Sequence, residues 1–339
     1  MDGIINIYKE RGFTSHDVVA KLRGILHQKK IGHTGTLDPE AQGVLPVCLG
    51  KATRVCDLLA DWDKEYRATM LLGITTDTQD MTGTVLTRCP VFLHEIQSEE
   101  YKEAMHLTSD SIRSCIESFI GENLQIPPMY SALKVNGKKL YELARQGVEV
   151  ERKPRAIRIY DIQIENIAEA FSRPVWEADF ADTATPVIEV QMIIKCSKGT
   201  YIRTICHDIG QKLGCGGCMS DLLRTEVGPF DIADSLRLSE IENLRDENRL
   251  DECVCPTDFV FSGLEAVELT TDAERFVRNG NPVSCRMMTG CRKKSLSHTD
   301  QDGRKASNRV RLYGENGEFL AVYEYNKEKN DWRARKMFL

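Results

Sequence analysis

Apolar residues recur along this chain at two spacings, and the switches between them lay out its elements. Val18, Leu22 and Ile25 follow a helical period. Thr14 precedes them and Asp17 stands three residues on, a capping-box-like start, so a helix is predicted from about Ser15 to Leu26. Lys64–Gly73 alternates enough to be a strand carrying Tyr66 on one face, and Thr75–Gly83 after it is a Thr/Asp/Gly loop. Val187–Ile194 is rich in β-branched residues and reads as a largely buried strand. Beyond it, Ile202, Ile205, Ile209 and Leu213 repeat at helical spacing, with Ser197 or Thr200 available as a cap and Gly214 as the stop. Further strand is predicted around Arg155–Ile164, and further helix near 109–120 and around Leu238 and Ile241. The stretch 165–186 looks longer than a simple hairpin and reads as a peripheral insertion. Arg309–Tyr313 and Leu320–Tyr325 flank a turn at Glu315-Asn316-Gly317, a hairpin signal, and the polar run Arg292–Ser307 before them reads as a flexible loop. Together these elements describe an α+β fold around a mixed, mainly antiparallel sheet in residues 1–262, followed by a small β-rich domain in 263–339.

Composition adjusts this picture at three points. The 339 residues suit roughly two domains with a substantial core. The formal net charge is −6, unexpected for a chain that binds nucleic acid, but the charge is unevenly spread. Between 134 and 158 the chain is net positive by five, and Tyr130 and Tyr141 lie close by, a combination that could follow an RNA backbone and contact bases. Lys21, Arg23, Lys29 and Lys30 form a second basic cluster. Twelve cysteines accompany a start, Met1–Glu10, that lacks the features of a signal peptide, and no apolar run approaches the roughly 20 residues of a membrane span. A cytoplasmic location with reduced thiols is therefore expected. Cys215-Gly216-Gly217-Cys218 has knuckle spacing, yet one such pair without a second is weak support for a metal site, and most cysteines read as small core residues.

The candidate chemistry sits in three segments. Gly32-His33-Thr34-Gly35-Thr36-Leu37-Asp38-Pro39 presents one carboxylate from a turn-prone loop, and Pro39 restricts the backbone of Asp38. An Asp-Pro turn alone is ordinary punctuation. Lys195–Ile205 places Arg203 in the first turn of a helix, where a cation opposes the helix dipole and needs an anion to compensate. Asp38 is the favoured anion, held by the guanidinium fork. The third segment is the Tyr66 strand, where the aromatic ring by itself would read as core packing.

Taken in this order, the three segments resemble the TruB family of tRNA pseudouridine synthases. The resemblance extends to Gln125–Lys134, to Gly137–Gly147, and to Val310–Glu315 with Gly317–Val322, so that nearly the whole chain is covered. It implies that Asp38 is the catalytic aspartate, Tyr66 the active-site tyrosine and Arg203 the arginine paired with the aspartate. His33 matches a histidine that places the everted nucleotide. Leu222 matches a leucine lining the base pocket, with Leu223 the other register, because Leu222-Leu223-Arg224-Thr225 stands where the family usually has Leu-Arg-Arg. Lys134, Lys138 and Arg145 fall in an insertion, about 121–153, that grips the substrate arm, and Tyr201 beside Arg203 joins the substrate-binding set. Glu10 replaces a usual proline. The tail resembles a PUA-type RNA-binding domain.

The implied fold is that of the pseudouridine synthases, and the implied activity is isomerisation of uridine at position 55 in the T loop of tRNA. An isomerisation consumes no redox equivalent or external nucleophile, so neither cofactor nor metal is required. Asp38 can attack the sugar, stabilise it, or assist in abstracting its proton; the residues do not choose among these. The partner is the tRNA T arm, with no membrane and no protein partner, and a monomer by default. A guide-dependent synthase working inside a box H/ACA ribonucleoprotein is a close alternative, disfavoured by the long insertion and the C-terminal domain type. A noncatalytic tRNA-folding chaperone is a second, disfavoured by the joint presence of Asp38, Tyr66 and Arg203.

Overall fold

A computed structural model describes residues 1–93, 104–135, 137–172, 185–289 and 308–339. Nine strands make the central sheet: β1 (Gly3–Lys9), β2 (Ile31–His33), β3 (Gln42–Leu49), β4 (Lys64–Leu72), β5 (Gly121–Gln125), β6 (Arg155–Ser172), β7 (Thr185–Cys196), β8 (Gly217–Val227) and β9 (Phe230–Asp231). Their order is β1-β3-β8-β4-β7-β6-β5, with β2 added on β3 and β9 on β8. Every pairing is antiparallel except β3 with β8, where Leu223 and Arg224 lie beside Gln42 and Gly43. The sheet is thus mixed and mainly antiparallel, as the alternating patterns predict.

The helices are α1 (Ser15–Ile25), α2 (Cys56–Ala60), α3 (Ser109–Glu117), α4 (Leu140–Ala144), α5 (Ile202–Leu213), α6 (Leu238–Asp246) and α7 (Thr271–Arg278). The capping box of α1 forms as read: Asp17 N–H donates to Thr14 Oγ1 at 3.1 Å and Thr14 N–H to Asp17 Oδ2 at 2.8 Å. Val18 and Leu22 are buried against Ile5, Ile7, Leu45 and Val47, together with Leu238 and Ile241 of α6. On the broad middle of the sheet, α3 and α5 bury Ile112, Ile116, Ile202, Ile205 and Ile209 against β4, β6 and β7.

Three expectations change. Residues 165–172 are not part of a peripheral insertion: β6 continues to Ser172, which pairs with Thr185. The register slips between Ile159 and Asp161 and again between Ile164 and Asn166, so the alternation breaks although the strand does not. The remainder of that segment, 173–184, and the polar run 292–307 lie outside the described residues. Gly121–Gln125 is the edge strand of the sheet rather than the base of the insertion, leaving 126–154 to project with a two-residue strand pair, Lys134–Val135 with Lys138–Lys139, and α4. Neither Ser197 nor Thr200 caps α5; the Thr200 hydroxyl donates to Ser197 O, and Tyr201 occupies the cap position without a side-chain cap bond. Gly214 does end α5 in the left-handed conformation, at φ 84°.

The C-terminal sheet consists of β10 (Glu265–Leu269), β11 (Met288–Thr289), β12 (Arg309–Tyr313), β13 (Phe319–Asn326) and β14 (Asp331–Met337), in the order β11-β10-β12-β13-β14. It has its own core around Val267, Leu312, Tyr323 and Trp332. Val322 and Phe338 instead enter a core shared with Ile4, Val44, Val55, Leu59 and Val227.

Candidate active site

The loop between β2 and β3 carries Asp38, and neighbours on both sides pin it. Ser15, the first residue of α1, accepts from Leu37 N–H through its hydroxyl at 2.9 Å. Pro39 has no N–H to donate, and its carbonyl accepts from Gly12 N–H at 2.9 Å and from Lys9 Nζ at 3.1 Å. Lys9 is fully buried and also donates to the carbonyls of Phe13 and Glu10, so one ammonium ties the end of β1 to the residue after Asp38. Burial pulls the Lys9 pKa down to about 8, opposed by Asp38 and Glu40, and the group stays charged at neutral pH. Glu10, where the resemblance expects proline, pairs with Arg237 at 3.1 Å on the surface, and Lys9 is held regardless.

Arg203 is the second residue of α5, and its side chain is only 8% exposed. Its Nη2 lies 3.0 Å from Asp38 Oδ2 and donates to the Tyr130 carbonyl at 2.8 Å, while Nη1 lies 3.4 Å from Asp80 Oδ2. The cation that opposes the helix dipole is therefore compensated twice. Asp80 is a residue the sequence reading missed. It is buried in the Thr75–Gly83 loop, where Thr78 and Thr82 hydroxyls and Thr82 N–H donate to its Oδ1. An Asp flanked by threonines two residues either side was the available signal, since short hydroxyl side chains saturate one carboxylate oxygen and leave the other for a cation.

The Asp38 side chain keeps 41% of its surface open although protein atoms crowd it closely. That crowding raises its carboxyl above the usual range; Asp80 adds to the rise, and Arg203 and Lys9 oppose it. Both faces of the argument matter chemically, because an open carboxylate can reach a ligand and a crowded one gains basicity.

Tyr66 on β4 is 8% exposed and shares the main core cluster with Leu37, Cys196 and Leu222. Leu222 lies opposite Ala68 across β8 and β4, and Arg224 lies opposite Tyr66, so Leu222, Arg224 and Tyr66 share one face while Leu223 turns to the other. Burial raises the Tyr66 phenol; Arg224 lowers it, and Cys196 and Asp38 raise it further. Gly43 allows the approach of β8: its φ is +104°, and a Cβ there would stand 2.1 Å from the Arg224 carbonyl oxygen.

The other expected residues are distributed around this centre. His33 ends β2, half-buried, with its ring edge-on to His16 at 5.0 Å; burial and the nearby His16 lower its pKa. Tyr201 directly precedes α5, and its backbone is clasped by Gln125, whose Oε1 accepts from Tyr201 N–H at 2.8 Å and whose Nε2 donates to Tyr201 O at 3.0 Å. Burial raises the Tyr201 phenol, against the pull of Ser131 and Arg203. Lys134, Lys138 and Arg145 are exposed on the projecting segment and, among the described residues, make no bond to Asp38 or Arg203, with the Arg145 guanidinium 5.7 Å from the centre of the Tyr141 ring. Cys215 and Cys218 are buried among apolar neighbours.

A sheet in this order, with a carboxylate loop laid against an arginine at a helix start, has the fold of the pseudouridine synthases. The fold is shared with a chain in a crystal structure of a Cbf5-Nop10-Gar1 complex, at TM-score 0.62 and 24% identity over 99% of this chain and 85% of that one. A structure of an H/ACA RNP bound to a substrate RNA containing 2′-deoxyuridine gives TM-score 0.61 and 23% identity over 99% and 85%. The chain belongs to the TruB family of pseudouridylate synthases: the N-terminal domain of that family matches residues 23–202, and the tRNA pseudouridylate synthase B C-terminal domain matches 203–262. The second match covers α5 from Arg203 on, strands β8 and β9 of the central sheet, and α6, and ends ahead of the β-rich tail. Relatives called tRNA pseudouridine synthase B include those of Lachnoclostridium phytofermentans, 46% identical over all of both chains, and Clostridium perfringens, 40% identical over 100% of this chain and 99% of the relative. That of Staphylococcus saprophyticus is 45% identical over 80% of this chain and 81% of the relative.

Proposed function

We propose that this protein isomerises uridine 55 in the T loop of tRNA to pseudouridine, with Asp38 as the catalytic carboxylate and without a guide RNA or protein partner. The observation that carries this reading is the Asp38 carboxylate, open on one side and held 3.0 Å from Arg203. A uridine inside a folded loop is out of reach, so it is flipped into the site at a cost of a few kcal/mol. Asp38 then acts at the ribose, and Arg203 favours its ionised form. The N1–C1′ bond breaks, the uracil turns between Tyr66 and Leu222, and a C5–C1′ bond forms. The C5–H bond breaks next, its electron pair restoring the ring double bond; Tyr66 takes the proton, and N1 gains one from solvent, so that the atoms balance. His33 fills space that the flipped base leaves. Lys134, Lys138 and Arg145 on the projecting segment contact phosphates of the T arm, and recognition follows the shape of the loop and stem. Residues 263–339 serve as a PUA-like RNA-binding domain.

The test is single-turnover pseudouridine mapping on an unmodified tRNA transcript with purified protein and no guide RNA. Wild type is expected to place pseudouridine in the T loop. Asp38→Asn is expected to lower turnover by about 10³-fold or more while tRNA binding persists. Tight tRNA binding without product from wild type would favour the guided or chaperone readings.

A further inference from the structure

Arg224 is 2% exposed and makes no ion pair among the described residues. Its Nε donates to the Val44 carbonyl at 2.7 Å, whereas its Nη2 is buried without a partner. A guanidinium in that position is costly unless an anion joins it at some stage. The groups facing it from other elements only deepen the imbalance: Lys9 from β1, Lys64 from β4 and His33 from β2. Gly35 of the loop that carries Asp38 lies beside its tip, where an added Cβ would stand 3.7 Å from Arg224 Nη1, at ordinary contact distance. The one oxygen acid that shares its face of the sheet at the same register is Tyr66, directly across from it on β4. Tyr66 is in turn faced by Arg224 from β8, Cys196 from β7 and Asp38 from the catalytic loop.

We propose that Arg224 acts through Tyr66: its guanidinium, buried beside the tyrosine and carrying an unpartnered Nη2, stabilises the phenolate that takes the C5 proton from the rotated base. The inference rests on the proposed isomerisation. In the step, the C5–H bond breaks, its electrons return to the ring, and the proton becomes the Tyr66 O–H, which later releases it to water. After the step Arg224 faces a neutral phenol, and release of that proton to water restores the phenolate beside it for the next turnover. Arg224 touches neither ribose nor base here; it sets the acidity of the group that does. Arg224 is the group that pulls the Tyr66 phenol down against the burial, Cys196 and Asp38 that raise it.

The experiment uses the full chain and a T-arm RNA carrying 5-deuterouridine, so that breaking the C5 bond weighs on the single-turnover rate. For Arg224→Gln, the rise of log rate with pH is expected to be displaced toward alkali by about one unit, a rate about tenfold lower at fixed pH. The C5 isotope effect should grow, with affinity for the RNA unchanged. Placing 3,5-difluorotyrosine at position 66, a more acidic phenol, should restore the rate of Arg224→Gln. Should Arg224→Gln fail to fold, judged by thermal melting, Arg224→Lys carries the test, with a smaller displacement of the same sign. A rate loss equal at every pH with no rescue by the fluorinated ring, or a loss expressed as weaker RNA binding, would overturn the proposal. If wild type forms no pseudouridine, the proposed function itself fails, which is a separate outcome.

Discussion

The Arg203 guanidinium divides its fork between two carboxylates, and each does a different job. Asp80 is saturated by threonine donors and anchors the arginine; Asp38 is open and receives what remains of the positive charge. In the proposed role the Asp38 carboxyl, raised by crowding, is inactive once protonated, so the rate should fall as pH falls through its value, above the ordinary carboxylate range. Arg203→Gln removes the main influence opposing that rise. The acid limb of the single-turnover profile should then move to higher pH by about one unit or more, and an unmoved limb would detach Asp38 from it. The pairing of Asp38 with Arg203 was readable from chemistry, since a cation in a first helical turn calls for an anion. Asp80 was legible only in part: its flanking threonines mark a held carboxylate, but nothing local to Thr78-Gln79-Asp80 reveals which helix packs above it.

At the scale of elements, the start of α5 is held by a side chain from the far edge of the sheet. Gln125 ends β5, and its amide clasps both backbone groups of Tyr201, doing the work that Ser197 or Thr200 was expected to do. The same strand leads into the projecting segment, whose Tyr130 carbonyl bonds Arg203. Segment, helix start and the Asp38–Arg203 pair are thus connected through one set of bonds. Gln125→Ala should cost about 1 kcal/mol in denaturant unfolding, and it should also lower the turnover rate without removing any group that touches substrate. Unchanged turnover with the stability loss intact would separate the cap from the site. The α1 cap, by contrast, was legible, because Thr14 and Asp17 are three residues apart and need no distant partner.

Across the whole molecule, the β-rich tail is not an appendage on a string. Phe338 is 1% exposed within a core shared with β1, β3 and α2, and its ring stacks on Phe319 at 4.8 Å. Polar ties surround that core, among them Lys336 with Asp57 at 2.8 Å and Lys51 with Glu318 at 3.1 Å; partly open to solvent, they add little. Phe338→Ala is therefore expected to destabilise the catalytic sheet together with the tail, by about 3 kcal/mol or more. A single cooperative transition shifted as a whole would show this. Two transitions, with only one displaced, would mean that the tail melts alone. No helix among the described residues is long and apolar enough to cross a membrane.

Periodicity and local chemistry determined most of the elements by themselves: α1 with its cap, β4, β7, α5 with its Gly214 stop, and the β12–β13 hairpin depend on neighbours within a few residues. The short segments around Asp38, Tyr66 and Arg203 likewise carried the family resemblance, because a loop that presents one carboxylate is encoded where it stands. The tertiary structure decided what depends on distant partners. It carried β6 through two register slips to Ser172, gave Gln125 to the start of α5, tied Lys9 to Pro39, and set Arg224 across from Tyr66. Strand register and buried charge are properties of pairs far apart in the chain, and a pair has no pattern until the fold brings its members together.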